Sequence, residues 1–122
     1  MGAKEAVGAY GERVAVRHLE DAGYAVLATN WRSRAGELDV VATRDGVVVF
    51  VEVKTRRSLA FGTPASAVTP LKAARLRLLA QEWLASSPLR ATLPAPPVRF
   101  DVVSVLRPPS GPAVVEHLEG AF

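Results

Sequence analysis

A hairpin signal near the middle of the chain sets the register of two strands. Asp45-Gly46 separates two segments rich in β-branched residues, 36–43 and 47–55, and this dipeptide favours a two-residue turn between antiparallel strands. Such a loop makes Arg44 face Val47, and counting outward along both strands gives every further pair. The position of each side chain on the predicted ladder follows from this one turn.

The predicted register brings charged side chains together on one face of the hairpin. Asp39 lies opposite Glu52, and Glu37 lies opposite Lys54 two positions further along each strand. Side chains two positions apart share a face, and two carboxylates held about 5 Å apart destabilise a bare sheet. A divalent cation such as Mg²⁺ or Mn²⁺ prefers oxygen ligands and would remove that repulsion. An exposed cluster of surface ion pairs explains the same spacing.

The strand that contains Glu52 ends in charged residues. Val47 to Val51 is an uninterrupted apolar run, typical of a buried strand, and Glu52-Val53-Lys54 follows it directly. Unpaired charges at the end of a buried strand are costly, so these side chains need partners. We expect the Lys54 ammonium to face a bound phosphate or an attacking water.

A first helix is predicted from Lys4 to Ala22, where apolar residues recur at helical spacing. Glu12 lies at the border of the apolar stripe, from which it could reach over the sheet edge. On its own, such a glutamate is more typical of a solvated helix surface. Gly8 and Gly11 each weaken the helix by about 1 kcal/mol relative to alanine, which indicates that another part of the chain approaches that face closely.

A second helix is predicted from the N-cap and first-turn pair Thr69-Pro70 to about Ser86. Its predicted buried stripe consists of Leu76, Leu79, Ala80 and Trp83. Lys72 continues this stripe to the N-terminal end of the helix, where the helix dipole also favours an anion. We therefore expect Lys72 to bind phosphate, with a lysine stem that merely extends from the stripe into solvent as the alternative.

The remaining elements are strands, and their order predicts the fold class. β-Branched and alternating segments predict strands over Tyr24–Trp31, Gly36–Thr43, Val47–Thr55, Val98–Leu106 and Ala113–Leu118. The order α-β-β-β-α-β-β indicates an α/β or α+β fold with helices packed on a sheet. A length of 122 residues fits one domain, 1–122, with one hydrophobic core.

The charge and the composition of the chain limit which partners and which cellular location are expected. The net charge is +3, and 12 of the 15 basic residues are arginine, which suits bidentate contact with phosphate. Arg32, Arg34, Arg56 and Arg57 flank the predicted site and are expected to contact a nucleic-acid backbone, although arginines at strand ends are also ordinary solubilising residues. The absence of cysteine excludes disulfides and thiolate metal sites. Together with the lack of a secretory or membrane-spanning pattern, it leads us to expect a cytoplasmic protein without a membrane partner.

Three further polar residues are expected to be structural. His18 and His117 have no partner at metal-ligand spacing, and Asp101 alternates with apolar neighbours in a predicted strand. We expect both histidines to be structural or surface residues, and Asp101 to form a pair or to face solvent.

Several motifs in the same order resemble the YraN-like family of small endonuclease-like proteins. The motifs are Gly11-Glu12, Asn30-Trp31-Arg32, Gly36-Glu37-Leu38-Asp39, Val51 to Arg56, Phe61-Gly62 with Pro64, Arg99 to Val103, and His117 with Ala121-Phe122. The resemblance covers nearly the whole chain. The family is similar to Holliday-junction resolvases and to the PD-(D/E)XK nuclease superfamily, whose pattern is a helix Glu, a strand Asp and Glu-x-Lys.

The resemblance implies a restriction-endonuclease-like mixed sheet flanked by helices, with Glu12, Asp39, Glu52 and Lys54 as catalytic residues. It also implies Mg²⁺ bound at Asp39 and Glu52, and a homodimer. One departure is Leu38, which stands where the superfamily pattern has proline.

The resulting hypothesis is a metal-dependent DNA endonuclease that acts on branched or recombination and repair intermediates. Mg²⁺ or Mn²⁺ would be held by Asp39 and Glu52 with the Val53 carbonyl, and Glu12 would bind a second metal or position water. One alternative is a non-catalytic or weakly catalytic nucleic-acid-binding module that acts with a partner. Another is an RNA-directed or nucleotide-directed hydrolase, because no residue indicates recognition of a 2′-hydroxyl or a base.

Overall fold

The computed structural model describes residues 3–57 and 68–122, with side chains from residue 6 onward. Within these ranges the elements are α1 Ala3–Asp21, β1 Ala25–Ser33, β2 Gly36–Arg44, β3 Val47–Arg56, α2 Pro70–Ser86, a 3₁₀ helix Pro88–Ala91, β4 Val98–Leu106 and β5 Val114–Leu118. The predicted order and the α+β class are confirmed, whereas the 3₁₀ helix was not predicted. Phe61, Gly62 and Pro64 of the family motifs lie outside the described residues.

The five strands form one mixed sheet in the order β1-β2-β3-β4-β5. β3 and β4 are parallel, and the other neighbouring pairs are antiparallel. Parallel strands need a long crossover connection, and α2 lies in the segment that joins β3 to β4.

The hairpin between β2 and β3 has the predicted turn. Asp45 and Gly46 have φ angles of 53° and 78°, as a type I′ turn requires at both central positions. Arg44 pairs with Val47, and the backbone pairing continues in the predicted register to Val40 and Val51. The register deduced from the turn is therefore confirmed over this length.

The two helices pack on opposite faces of the sheet. Ala15 and Leu19 of α1 belong to one core cluster with Val40, Val49 and Val103. On the other face, four apolar residues of α2 join a second cluster with strand residues of β2 and β3: Leu76, Leu79, Ala80 and Trp83 with Leu38, Val41, Val48 and Phe50. The predicted buried stripe of α2 is confirmed, and Ala73 extends it.

A glycine allows α1 to lie close to β3. A Cβ atom added at Gly11 would clash with the side chain of Thr55, whereas one added at Gly8 would meet nothing within 4 Å. The predicted close approach is therefore correct for Gly11 and wrong for Gly8. Because Glu12 follows Gly11, this contact holds Glu12 near the end of β3.

Candidate functional site

The candidate site lies where β2 separates from β3. The backbone pairs between these strands end at Val40 and Val51, while β2 continues to pair with β1 as far as Gly36. Beyond the last pair, the Asp39 carboxylate Oδ2 accepts a hydrogen bond from the backbone N–H of Val53 at 2.8 Å. A side-chain oxygen thus occupies the place of a strand carbonyl, and the two strands are free to diverge.

Three carboxylates converge at this separation. One oxygen each from Glu12, Glu37 and Asp39 lies within 4.8 Å of the others, and all three residues are half-buried. Glu12 comes from α1, while Glu37 and Asp39 come from β2. We call these three residues the acidic cluster. Glu12 and Asp39 were predicted as site residues, whereas Glu37 was expected only opposite Lys54.

Glu37 has a different neighbour from the one predicted. Once β2 has left β3, Glu37 pairs across the ladder with Arg32 on β1, and its Oε2 lies 3.7 Å from the Arg32 Nε. The expected cross-strand arrangement of Glu37 with Lys54 extrapolated the hairpin register beyond the point where the strands separate. The position of Glu37 two residues from Asp39 was the sequence signal for its place in the acidic cluster.

Glu52 lies beside the acidic cluster and is held by α2. It is 8% exposed, and its Oε1 lies 2.7 Å from the Nζ of Lys72. Lys72 stands in the first turn of α2, where its backbone N–H donates to the Oγ1 of the N-cap Thr69. The predicted contact of Lys72 with a phosphate stays a prediction, and in the structure its ammonium pairs with a carboxylate of the candidate site.

Two clefts meet at Asp39. Cleft A has a volume of about 500 Å³ and includes Glu12, Asp39, Val53, Lys54, Thr55 and Arg57. Cleft B has a volume of about 490 Å³ and includes Glu37, Asp39, Glu52, Leu71, Lys72 and Arg75. Asp39 is common to both clefts, so the carboxylates of α1 and β3 approach it from the two faces of the sheet.

The electrostatics of Asp39 reflect this crowding. Burial and the neighbouring Glu52 raise the pKa of Asp39 to about 7, and Glu12 and Glu37 add to the rise. The hydrogen bond from Val53 opposes it. Asp39 and Glu52 are therefore electrostatic neighbours in one cleft, as the hairpin register predicted, although the backbone ladder between their strands ends one pair earlier.

The predicted basic residues are distributed around the clefts. Lys54 and Arg57 are exposed and line cleft A. Arg32 and Arg34 are exposed near the start of β2. Arg56 is half-buried, and its backbone carbonyl accepts a hydrogen bond from the N–H of Arg107. Lys54 and Arg57 are therefore predicted cations that share a cleft with both Glu12 and Asp39.

A second polar network lies in the core and was not predicted in this form. Asp101 is fully buried and accepts hydrogen bonds from Arg99, from the backbone N–H of Gly120 and from the His117 Nε2. Burial alone would raise the pKa of Asp101, but the hydrogen bonds from His117 and Arg99 outweigh it and lower the pKa to about 2. The His117 Nδ1 lies 3.2 Å from the His18 Nε2. Asp101 therefore forms pairs and does not face solvent.

The fold and the site together define an α+β protein with a carboxylate cluster where two strands of a mixed sheet separate. A model of the family described as Uncharacterised protein family UPF0102 matches residues 11–105, and the chain belongs to this family. It is the family that the sequence motifs indicated. Neither helix in the described part of the chain has the length and apolar composition that crossing a bilayer requires.

Relatives of the same family match the chain over nearly their whole length. The chain is 58% identical over 120 residues to a UPF0102 protein of Beutenbergia cavernae, which covers 98% of both chains. It is 57% identical over 118 residues to one of Kineococcus radiotolerans, covering 97% of this chain and 94% of the relative. A UPF0102 protein of Frankia alni is 57% identical over 123 residues, covering 100% of this chain and 98% of the relative.

Proposed function

We propose that the chain is a metal-dependent endonuclease that hydrolyses phosphodiester bonds in DNA. The observation that carries the proposal is the convergence of Glu12, Glu37 and Asp39 within 4.8 Å of one another. Glu52 lies close enough to raise the pKa of Asp39. Ionised carboxylates held this close repel one another, and a bound cation relieves that repulsion. Grouped carboxylate oxygens are typical ligands of Mg²⁺ and Mn²⁺.

The donor set fits such a cation. Every side chain of the acidic cluster offers a hard oxygen, and burial together with Glu52 raises the pKa of Asp39 to about 7, so its ionised form is costly without a compensating charge. Asp39 and Glu12 would hold the cation, with Glu37 and Glu52 beside them. A divalent cation bound there would polarise a phosphoryl oxygen and lower the pKa of bound water.

The remaining roles in the proposed reaction fall to groups of the chain itself. Val53 holds the Asp39 carboxylate in place through its backbone N–H. Lys54 lines cleft A beside Glu12 and Asp39, so its ammonium can bind a phosphate oxygen or orient water. Lys72 neutralises Glu52 in the free protein, and on binding of a polyanion its Nζ can exchange the carboxylate for phosphate.

The charge around the clefts supports a polyanionic substrate. Lys54 and Arg57 line cleft A, and Lys72 and Arg75 line cleft B, so phosphates on both sides of Asp39 would meet cations. Arg32 and Arg34 are exposed nearby and are proposed to contact the backbone further away. DNA, branched DNA in particular, is chosen over RNA through the family resemblance and not through base-reading residues.

The ion pair between Lys72 and Glu52 favours one alternative. Lys72 already neutralises Glu52 within the chain. The site would therefore depend less on a bound metal than a site of unpaired carboxylates would. This is what we expect of a nucleic-acid-binding module that cuts slowly or only with a partner. A homodimer and a cytoplasmic location accompany the nuclease proposal as further expectations.

A cleavage panel tests the proposal. Branched, duplex and single-stranded DNA and the matching RNAs are incubated with Mg²⁺ or Mn²⁺ and with wild type, Asp39→Asn or Glu116→Gln. Asp39→Asn keeps an acceptor for Val53 and should lower cleavage at least about 100-fold while nucleic-acid binding persists. Glu116→Gln removes an exposed carboxylate from β5 and should cleave like wild type.

The possible outcomes separate the alternatives. Unchanged cleavage by Asp39→Asn refutes the site. Binding of DNA by wild type without cleavage of any substrate supports the binding module, and cleavage restricted to RNA supports an RNA-directed hydrolase.

A further inference from the structure

The segment that follows β5 folds back onto β4. The Gly120 N–H donates to the Oδ1 of the buried Asp101 at 3.0 Å, and the Ala121 N–H donates to the backbone carbonyl of Phe100 at 2.8 Å. Gly120 has a φ of 60°, in the left-handed region that glycine adopts at little cost. These two hydrogen bonds fix the backbone directly before Phe122.

The Phe122 ring belongs to a row of aromatic rings on the α2 face of the sheet. Its centroid lies 5.2 Å from that of Phe100, and Phe100 stacks on Phe50 at 5.6 Å. Phe50 lies edge-on to Trp83 at 5.9 Å. Phe50 and Trp83 are buried, whereas Phe100 and Phe122 are half-buried. The row therefore runs from the core under α2 toward the surface, with Phe122 at its outer end.

Phe122 also adjoins two carboxylate residues of the candidate site. A void of about 10 Å³ is lined by Asp39 and Glu52, and apolar residues complete its wall, among them Leu76 and Phe122. One ordered water needs a cavity of roughly 10–15 Å³, so the space between Phe122 and the two acidic residues has no room for bulk water. Glu52 thus has the Lys72 ammonium at one oxygen and an apolar wall beside it.

We propose that Phe122 is a positioning residue of the candidate site, whose ring closes the space beside Asp39 and Glu52 and thereby fixes where these two carboxylates lie. An apolar shell around a cation site limits the access of water and strengthens the attraction between carboxylates and cation. The ring acts through the two carboxylates and not on the reacting atoms. The metal-binding part of this proposal rests on the proposed function, whereas the positioning of Asp39 does not.

The arrangement also connects the buried polar network with the candidate site. Asp101 holds the N–H of Gly120, and Phe122 follows only two residues later along the chain. The place of the ring is therefore set by the most deeply buried carboxylate of the described residues, which is 0% exposed. A ring held in this way can serve as a fixed wall for Asp39 and Glu52.

Hydrogen exchange in metal-free buffer tests the positioning of Asp39. The Val53 N–H donates to the Asp39 Oδ2, so its exchange rate reports how firmly this carboxylate is held. Phe122→Ala should speed exchange at Val53 about tenfold relative to the other amides of β3. Leu84→Ala is the matched control, because Leu84 is a half-buried residue of the same core cluster near the opposite end of α2 from Lys72. It should speed the amides of β3 alike.

Calorimetric titration with Mn²⁺ tests the effect on the cation site. Phe122→Ala should weaken Mn²⁺ binding about tenfold, as loss of a supporting residue around a metal site does, while Leu84→Ala should bind like wild type. Phe122→Leu keeps an apolar side chain and should lie between Phe122→Ala and wild type in both measurements. Circular dichroism establishes which variants are folded, and Phe122→Leu decides the case in which Phe122→Ala is not.

The proposal is overturned if Val53 exchanges in step with the rest of β3 in every folded Phe122 variant. It is also overturned if Leu84→Ala changes the exchange of Val53 as selectively as Phe122→Ala does. Wild type that binds no Mn²⁺ would refute the proposed metal site. Selective exchange at Val53 in Phe122→Ala would then still support the positioning of Asp39 by the ring.

Discussion

The Asp39 carboxylate accepts a hydrogen bond from the backbone N–H of Val53, and this contact lies where β2 leaves β3. It holds a carboxyl group with a raised pKa against the end of a buried strand. The hydrogen bond favours the ionised form, while burial and Glu52 disfavour it. Asp39 is therefore fixed in position but costly to ionise, and the stability of the fold should reveal this.

The first prediction concerns the pH dependence of stability. The pKa of Asp39 is raised from 3.8 to about 7, so between these values the folded chain binds a proton that the unfolded chain has released. The contribution of Asp39 is greatest at low pH and is lost as the pH rises through about 7. Asp39→Asn should lack this loss and, above pH 7 in metal-free buffer, exceed wild type by about 2–4 kcal/mol in free energy of unfolding.

Urea denaturation at several pH values in the presence of a chelator measures this difference. Addition of Mn²⁺ should stabilise wild type more than Asp39→Asn, because a cation compensates the ionised cluster. Parallel pH profiles of the two proteins in chelator would contradict the prediction.

The second prediction concerns the ion pair between Lys72 and Glu52. Lys72→Ala leaves a nearly buried carboxylate without its cation, which should cost about 1–3 kcal/mol because the Lys72 side chain is 40% exposed and partly screened. Mg²⁺ should recover part of this loss, since Glu52 becomes available as a ligand. Thermal denaturation with and without Mg²⁺ measures both effects. Arg90→Ala, which removes an exposed cation from the 3₁₀ helix, should change neither value, and an equal response of the two variants would disprove the assignment.

The hairpin shows how far the sequence could predict this site. One turn determined the register of β2 and β3, and the structure confirms it from Arg44–Val47 to Val40–Val51. The prediction failed at Glu37 because it assumed that the ladder between β2 and β3 continues beyond Val40 and Val51. Whether it continues depends on a side chain, Asp39, competing for the Val53 N–H, and this competition is not visible in a periodic pattern.

Contacts between segments that are distant in the sequence could not be predicted from it either. Lys72 and Glu52 were each singled out from their own elements, but their pairing depends on how α2 packs across the sheet. The links from Asp101 to His117 and from His117 to His18 likewise join separate elements. A local signal for the partner of Asp101 did exist, since Arg99 lies two positions away on the same strand face.

The third prediction concerns the buried network of Asp101. The pKa of this group is lowered from 3.8 to about 2, so its contribution to stability is present above about pH 4 and is lost as the pH falls toward 2. Asp101→Asn leaves Arg99 and His117 without their carboxylate and should cost about 3–5 kcal/mol at pH 7. The cost should shrink in acid. Asp45→Asn at the exposed hairpin turn should be nearly neutral, and a loss in Asp101→Asn no larger than in this control, measured by urea denaturation, would count against the network.

The fourth prediction uses two glycines in the same helix. At Gly11 an added Cβ meets the Thr55 side chain, whereas at Gly8 it meets open space. Gly11→Ala should therefore push α1 away from β3 and lower the free energy of unfolding by about 1–3 kcal/mol, while Gly8→Ala should raise it by up to about 1 kcal/mol through helix propensity. Because Glu12 follows Gly11, the first variant should also weaken Mn²⁺ binding measured by calorimetry, and the second should leave it unchanged. Equal stability and equal Mn²⁺ affinity in the two variants would mean that the contact between α1 and β3 does not position Glu12.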